Sequence, residues 1–159
     1  MTADRIEWAA GDSDLDAILE IDRMSFPHPW TREMYQEELR NPERSFLAVC
    51  RRDSCPVAGY VSFWLVVDEI HINNVAVRPE FRSQGLGGRL VEFALRIGAG
   101  RGASVALLEV RRANRVARRL YERLGFAQIS VRARYYSNPV DDALVLQRDV
   151  RNLELNPTA

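Results

Sequence analysis

Hydrophobic positions recur along the chain with two periods, and the switches between them mark out its elements. Ile6-Glu7-Trp8-Ala9 alternates as a strand does. Asp12 or Ser13 can cap a helix running to about Met24, because Leu15, Ile18, Leu19 and Ile21 share one face. Pro27 and Pro29 block its continuation and make residues 25–30 a loop. Thr31, followed by Glu33 and Glu37, opens a second helix that ends near Leu39. Three strands follow at 46–51, 57–66 and 70–77, with turns at 52–56 and around Asp68-Glu69. A helix then opens at the glycines 85, 87 and 88, its apolar stripe formed by Leu86, Leu90, Phe93, Ala94 and Ile97. Gly98, Gly100 and Gly102 are expected to break it. Residues 105–110 read as a buried strand, and 114–124 as a helix with Val116, Ala117, Leu120, Tyr121 and Leu124 inward. Strands 126–132 and 143–147 close the pattern around a loop at 135–142. The order β-αα-βββ-α-β-α-ββ predicts a mixed α/β (α+β) fold, a mixed central sheet with helices on both faces. Residues 1–151 read as one domain and 152–159 as a loose tail.

One junction carries chemistry. A strand ending at Val77 leads through Arg78-Pro79-Glu80-Phe81-Arg82-Ser83-Gln84 into Gly85-Leu86-Gly87-Gly88 and the helix. The first turn of a helix leaves N–H groups without partners, and its dipole favours negative charge there. Glycines let that backbone approach a ligand closely, so the junction reads as an anion site suited to phosphate. A Walker loop would end in Gly-Lys-Ser/Thr, but Arg89 and Leu90 follow the glycines. A dinucleotide fingerprint, G-x-G-x-x-G, fails at Leu90. A tight turn with no ligand remains the alternative at this point.

Composition narrows the setting. With 47% hydrophobic and 28% charged residues in 159, the chain has the make-up of a soluble globular protein able to bury a core. No apolar run approaches the ~20 residues needed to span a bilayer, and Met1-Thr2-Ala3-Asp4-Arg5 carries no signal-type hydrophobic region. Two cysteines are too few for a disulfide framework, so the expectation is a reduced, cytoplasmic protein without membrane contact. Two histidines and two cysteines in no ligand pattern predict no metal site. All 22 basic residues are arginine. Residues 1–77 carry 7 Arg and 14 acids, residues 78–134 carry 13 and 4, and residues 135–159 carry 2 and 4. The segregation suits a polyanionic cofactor on one side and a cationic partner on the other. A net charge of zero and a pI near 6.7 speak against direct nucleic-acid binding.

The run Arg82-x-x-Gly85-x-Gly87 resembles the coenzyme A pyrophosphate loop of the GCN5-related N-acetyltransferase (GNAT) superfamily, and the element order agrees with that fold. Phe26-Pro27-His28-Pro29-Trp30-Thr31, Asn74-Val75-Ala76-Val77, Leu108-Glu109-Val110-Arg111, Asn114, Leu120-Tyr121-Glu122-Arg123-Leu124-Gly125-Phe126, Tyr135-Tyr136 and Asp142-Ala143 extend the resemblance over nearly the whole chain. Together they are similar to the RimI-type subgroup, the bacterial ribosomal-protein-alanine N-acetyltransferases.

The resemblance implies an acetyl-CoA-dependent protein N-α-acetyltransferase, with direct attack in a ternary complex and acetyl-CoA held where two parallel strands splay. It implies that Val75, Ala76 and Val77 line the pantetheine arm and that Arg82, Ser83, Gln84, Gly85, Leu86, Gly87 and Gly88 bind the pyrophosphate. Asn114 is then a cofactor contact as well as a natural helix cap. Glu109 is implied as general base and Tyr121 as the acid for the departing thiolate beside the cofactor. Glu69 is a rival base, because many GNAT enzymes place their carboxylate on the neighbouring strand. Trp30, Glu69, Tyr135 and Tyr136 are implied on the acceptor side, where the acids Glu33, Glu37 and Asp68 would attract a basic peptide, the N-terminal peptide of a ribosomal protein. A GNAT acting on lysine or a small amine, and a non-catalytic coenzyme A-binding module, are the competing readings.

Overall fold

The periodicities fold in the order read from them. The structure is a computed structural model that describes residues 4–153. Along the chain it runs β1 (Arg5–Trp8), α1 (Gly11–Ser25), α2 (Arg32–Leu39), β2 (Ser45–Arg52), β3 (Cys55–Val66) and β4 (Glu69–Val77). After a 3-10 turn at Pro79–Phe81 come α3 (Leu86–Gly100), β5 (Val105–Arg111), α4 (Arg115–Arg123), β6 (Ala127–Tyr136) and β7 (Asp141–Asp149). The strands form one mixed sheet ordered β1-β2-β3-β4-β5-β7-β6. Only β4 and β5 pair in parallel; the other neighbours are antiparallel.

Each face of the sheet buries its own set of apolar side chains. On one, Leu86, Leu90, Val91, Ala94 and Leu95 of α3 and Tyr121 of α4 pack on Ala48, Val61, Phe63, Ile70, Ile72, Ala106 and Leu108. On the other, Leu15, Ile18 and Ile21 of α1 and Tyr35 of α2 pack on Leu47, Val49, Tyr60 and Ala76. Alternate residues of β2 go to opposite cores, as the period-two pleat requires.

Several local expectations change. Helix α3 does not break at Gly98 but runs on to Gly100. A Cβ at Gly98 would stand 2.3 Å from Ile70 Cγ1, so this glycine is there to let α3 lie on β4. Helix α1 is capped by neither Asp12 nor Ser13. Its N-cap is Ala10, whose N–H donates to Asp14 Oδ2 at 2.8 Å from within the first turn. Thr31 does cap α2, accepting from the Met34 N–H. Strands β6 and β7 extend past the expected loop at 135–142, leaving residues 137–140 as the turn, with a cis Asn138-Pro139 bond. Val116 is 83% exposed rather than inward. Of the expected tail, Leu153 packs against the α3-side core, and residues 154–159 lie outside the described residues.

Candidate active site

The site begins where the one parallel pairing stops. β4 and β5 pair only from Glu69↔Val105 to Ile72↔Leu108. Beyond that, β4 continues to Val77 with β3 alone, and β5 to Arg111 with β7 alone. Val75, Ala76 and Val77 therefore present one edge with no strand beside it. At the parting point β4 carries an extra residue: Ser62 opposes Asn74 and Phe63 opposes Ile72, which leaves Asn73 in a bulge. The bulge resets the parity of the strand. Ile70 and Ile72, then Val75 and Val77, all face α3, while Ala76 faces α1. Asn73 Nδ2 is buried there without a hydrogen-bond partner among the described residues.

The anion loop lies at the far end of this open edge. Ser83 and Gly85 have φ of 63° and 84°, the left-handed region, which costs glycine nothing and serine something. The first helical bond of α3 runs from the Arg89 N–H to Gly85 O at 3.2 Å. The N–H groups of Leu86, Gly87 and Gly88 are left over at the positive end of the helix dipole. Gln84 is steadied by Arg52, whose Nη1 donates to Gln84 Oε1 at 2.7 Å. Asp4 in turn bonds both Arg52 and Arg89, and those guanidiniums hold its carboxyl below the ordinary range. Arg82 turns back from the loop, donating from Nε to Val77 O at 3.0 Å and from Nη2 to Ser25 Oγ at 3.3 Å. Arg78 is similarly engaged, with Val57 O and Glu20.

Glu109 and Tyr121 belong to opposite sides of the sheet. Ala106, Leu108 and Val110 point into the α3 core, so alternation places Glu109 on the face that carries α1 and α2. It is the first residue of β5 beyond the last parallel pair. Its Oε1 accepts from Arg132 Nη1 at 2.8 Å, an ion pair that reaches across β7 from β6. Tyr121 belongs to the α3-side core and packs edge-on against Phe126. Burial, helped by neighbouring Tyr136, pushes its phenol up and keeps it protonated at neutral pH. Unlike Tyr35 and Tyr60, whose hydroxyls are bonded, the Tyr121 hydroxyl meets no partner among the described residues. Asn114 caps α4, its Oδ1 accepting from the Ala117 N–H at 3.1 Å.

The expected acceptor residues are brought together unevenly. Tyr135 and Tyr136 end β6 edge-to-face, with Arg132 over the first ring and Arg111 over the second. Burial, with the Glu109 charge nearby, also pushes the Tyr136 phenol up. Trp30 packs on Tyr35 with ring centroids 5.2 Å apart. Glu69, by contrast, stands three residues back in the closed part of the sheet, bonded to His71 at 2.8 Å. Three residues beside the site went unread in the sequence, Arg132, Arg52 and Asp4, and Val116 was misplaced. Arg132 and Glu109 are 23 positions apart, and no local pattern joins them. Leu120 lies against Gly87 and Gly88, and Val116, one turn before it, is exposed.

The arrangement fits a long phosphorylated co-substrate: spare N–H groups at a helix start, an open strand edge and an unpartnered amide at the parting point. Comparison with known proteins points the same way. A Bacillus subtilis protein named as a candidate [ribosomal protein bS18]-alanine N-acetyltransferase is 37% identical over 134 residues, 84% of this chain and 87% of that one. The Escherichia coli K12 [ribosomal protein bS18]-alanine N-acetyltransferase is 30% identical over 136 residues, 84% and 90% of the two chains. The crystal structure of the Escherichia coli ribosomal-protein-S18-alanine N-acetyltransferase superposes with a TM-score of 0.84 at 28% identity, covering 97% of this chain and 98% of that one. The model of the Acetyltransferase (GNAT) family matches residues 15–126, and the chain belongs to that family.

Proposed function

We propose that this chain is an acetyl-CoA-dependent protein N-α-acetyltransferase whose acceptor is a ribosomal protein with an N-terminal alanine. The observation that carries the reading is the open edge of β4 beyond its last pair with β5, with Glu109 the next residue of β5, on the α1/α2 face, and Tyr121 supplied by the α3/α4 side. A reaction there can take a cofactor from the α3/α4 face and an amine from the α1/α2 face. The acceptor is inferred from the names of the 37% and 30% identical relatives. A ribosomal acceptor places the reaction in the cytoplasm.

Acetyl-CoA, when bound, supplies an activated acetyl thioester. The spare N–H groups from Leu86 to Gly88, with Ser83, Gln84 and Gly85, would hold its pyrophosphate. The free edge of Val75, Ala76 and Val77 would pair with the pantetheine arm and offer an N–H to the thioester oxygen. A preorganised donor of that kind is worth ~2.7–4 kcal/mol in other acyl-transfer sites. Attack requires the neutral amine, and an α-amine titrates near 7.7–8.0 against 10.4 for lysine, so it is the easier group to deprotonate at neutral pH. Glu109 keeps Oε2 free while Arg132 holds Oε1, and that oxygen would take the proton through a water. Tyr121, held protonated by burial, would give its proton to the leaving thiolate. Tyr135 and Tyr136 would bind the peptide backbone and Trp30 would wall the entrance.

The test is coenzyme A release with peptides bearing free N-termini and with lysine peptides whose N-termini are blocked. Turnover should require the free α-amine and be fastest with alanine first. Glu109→Gln and Tyr121→Phe should each lower kcat by roughly 100-fold or more, the scale of general acid–base catalysis, with the KM for acetyl-CoA changed less than about twofold. No turnover on any free α-amine peptide would overturn the reading; unchanged kcat in both variants would remove the two roles.

A further inference from the structure

Helix α4 breaks the rules that stabilise a helix, and it does so in one direction. Its nine residues hold Arg115, Arg118, Arg119 and Arg123 against a single acid, Glu122. Arg115 begins the helix and no acid lies in the first turn, so a cation sits at the positive end of the dipole. Arg115 and Arg119, like Arg119 and Arg123, are four apart, a like-charge spacing that costs about 0.2–0.5 kcal/mol per pair. Nearby Arg112 and Arg132 are neutralised by Asp142 and Glu109. Arg115, Arg119 and Arg123 have no acidic partner among the described residues, and Arg118 donates only to Arg112 O. Arg115, Arg118, Arg119 and Glu122 line one open recess of 360 Å³. Their spacing puts them on one helical face, turned away from Leu120, which touches the anion loop. Among the described residues none of these arginines bonds a residue assigned to the site above. Unrelieved local cost of this kind marks a surface shaped by a partner.

We infer that the outer face of α4 docks the phosphate backbone of single-stranded RNA. Guanidinium forks match phosphate oxygens and stack on exposed bases. The row spans about 13 Å of helix, enough for several phosphates. The choice of RNA rests on the proposed ribosomal acceptor, which would bring the enzyme to its substrate among RNA. The charge balance of zero, which in the sequence spoke against nucleic acid, averages over this face: residues 111–134 hold eight arginines and one acid.

The probe is a fluorescein-labelled 20-nucleotide single-stranded RNA, titrated with the full chain at several salt concentrations and read by anisotropy. This needs no acetyl acceptor, so its failure is distinct from failure of the acetyltransferase reading. Each phosphate contact on a single strand contributes a slope of about −0.7 to log K against log salt. The variant Arg115→Gln/Arg119→Gln/Arg123→Gln should bind at least tenfold more weakly at 50 mM salt, with a slope shallower by about two. Its KM for acetyl-CoA should stay unchanged, and its Tm should be equal or higher because like charges are removed. The comparison variant Arg23→Gln/Arg40→Gln/Arg151→Gln, which removes the same charge elsewhere, should lose less than threefold. Equal losses in the two variants, no binding by the wild type, or a raised acetyl-CoA KM with RNA affinity intact would each overturn the inference.

Discussion

Asp22 offers a sharp test of how the α1 face is held together. It is fully buried, and its carboxylate has no cationic partner. Instead Tyr35 of α2 and Tyr60 of β3, both fully buried, donate their hydroxyls to its two oxygens. The two hydroxyls lie 3.1 Å apart. The network thus joins α1, α2 and β3 beneath Trp30. Burial raises the Asp22 carboxyl above its ordinary 3.8, and the two phenols oppose that rise without cancelling it. A carboxyl raised in the folded state binds its proton more tightly there than in the unfolded chain. Stability is therefore highest below 3.8 and falls as pH climbs toward the raised value. Tyr60→Phe removes one donor from the charged form. A hydrogen bond to a charged group is worth about 1.5–3 kcal/mol, and for this chain length each kcal/mol shifts Tm by about 2–4 °C. The variant should lose about 3–12 °C at pH 7.5. At pH 3.5 the carboxyl is protonated and the loss should be less than half as large. Asp22→Asn should abolish this part of the pH dependence. Thermal melts from pH 3.5 to 7.5 decide it: a Tyr60→Phe loss equal at both ends, or absent at both, would refute the charged network.

Two further outcomes follow from single contacts. Gly98→Ala forces a methyl onto Ile70, and overpacking of about 1–3 kcal/mol should outweigh the ~1 kcal/mol gain in helix propensity. Chemical denaturation should show that Ile70→Val restores part of the loss in the double variant. Asp14→Asn breaks the bond that Arg51 makes to both carboxylate oxygens. That pairing, with the Ala10 N–H, holds the Asp14 carboxyl below 3.8. Its contribution is present above 3.8 and is lost as pH falls through the depressed value. The variant should be about 1–3 kcal/mol less stable at pH 7 and close to the wild type at pH 2, as measured by urea unfolding at both pH values.

What the sequence revealed and what it hid divide along the reach of each interaction. Element order, the left-handed turn of the glycine loop and the Thr31 and Asn114 caps were legible, because each depends on residues within one turn or one strand. Glu109 and Tyr121 were found through resemblance to a family, since nothing local distinguishes a strand-end acid or a helix tyrosine. The Arg132–Glu109 pair, the Asp4–Arg52–Gln84 chain and the Asp22 network join residues 13 to 48 positions apart, where no period operates. Gly98 was misread for the same reason: its cause is Ile70, a residue of another element. Val116 was placed inward by periodicity, but of α4 only Tyr121 is buried, so Val116 falls outside its narrow inward stripe.

The bulge at Asn73 connects these points to the chemistry. With strict alternation, Ile70 and Ile72 would be followed on the α3 face by residues 74 and 76. The extra residue puts Val75 and Val77 there instead and gives Asn74 and Ala76 to the α1 face. Ala76 thereby packs into the α1-side core. The same distortion coincides with the end of pairing to β5, so it lies at the start of the open edge that the cofactor reading requires. One inserted residue therefore accounts for the parity of β4, the anchoring of the α1 face and the position of the orphaned Asn73 amide. That makes the bulge, more than the glycine loop, the feature that relates the two faces of the site. On the cofactor reading the loop would hold the phosphate, while the bulge determines which side chains stand on either face.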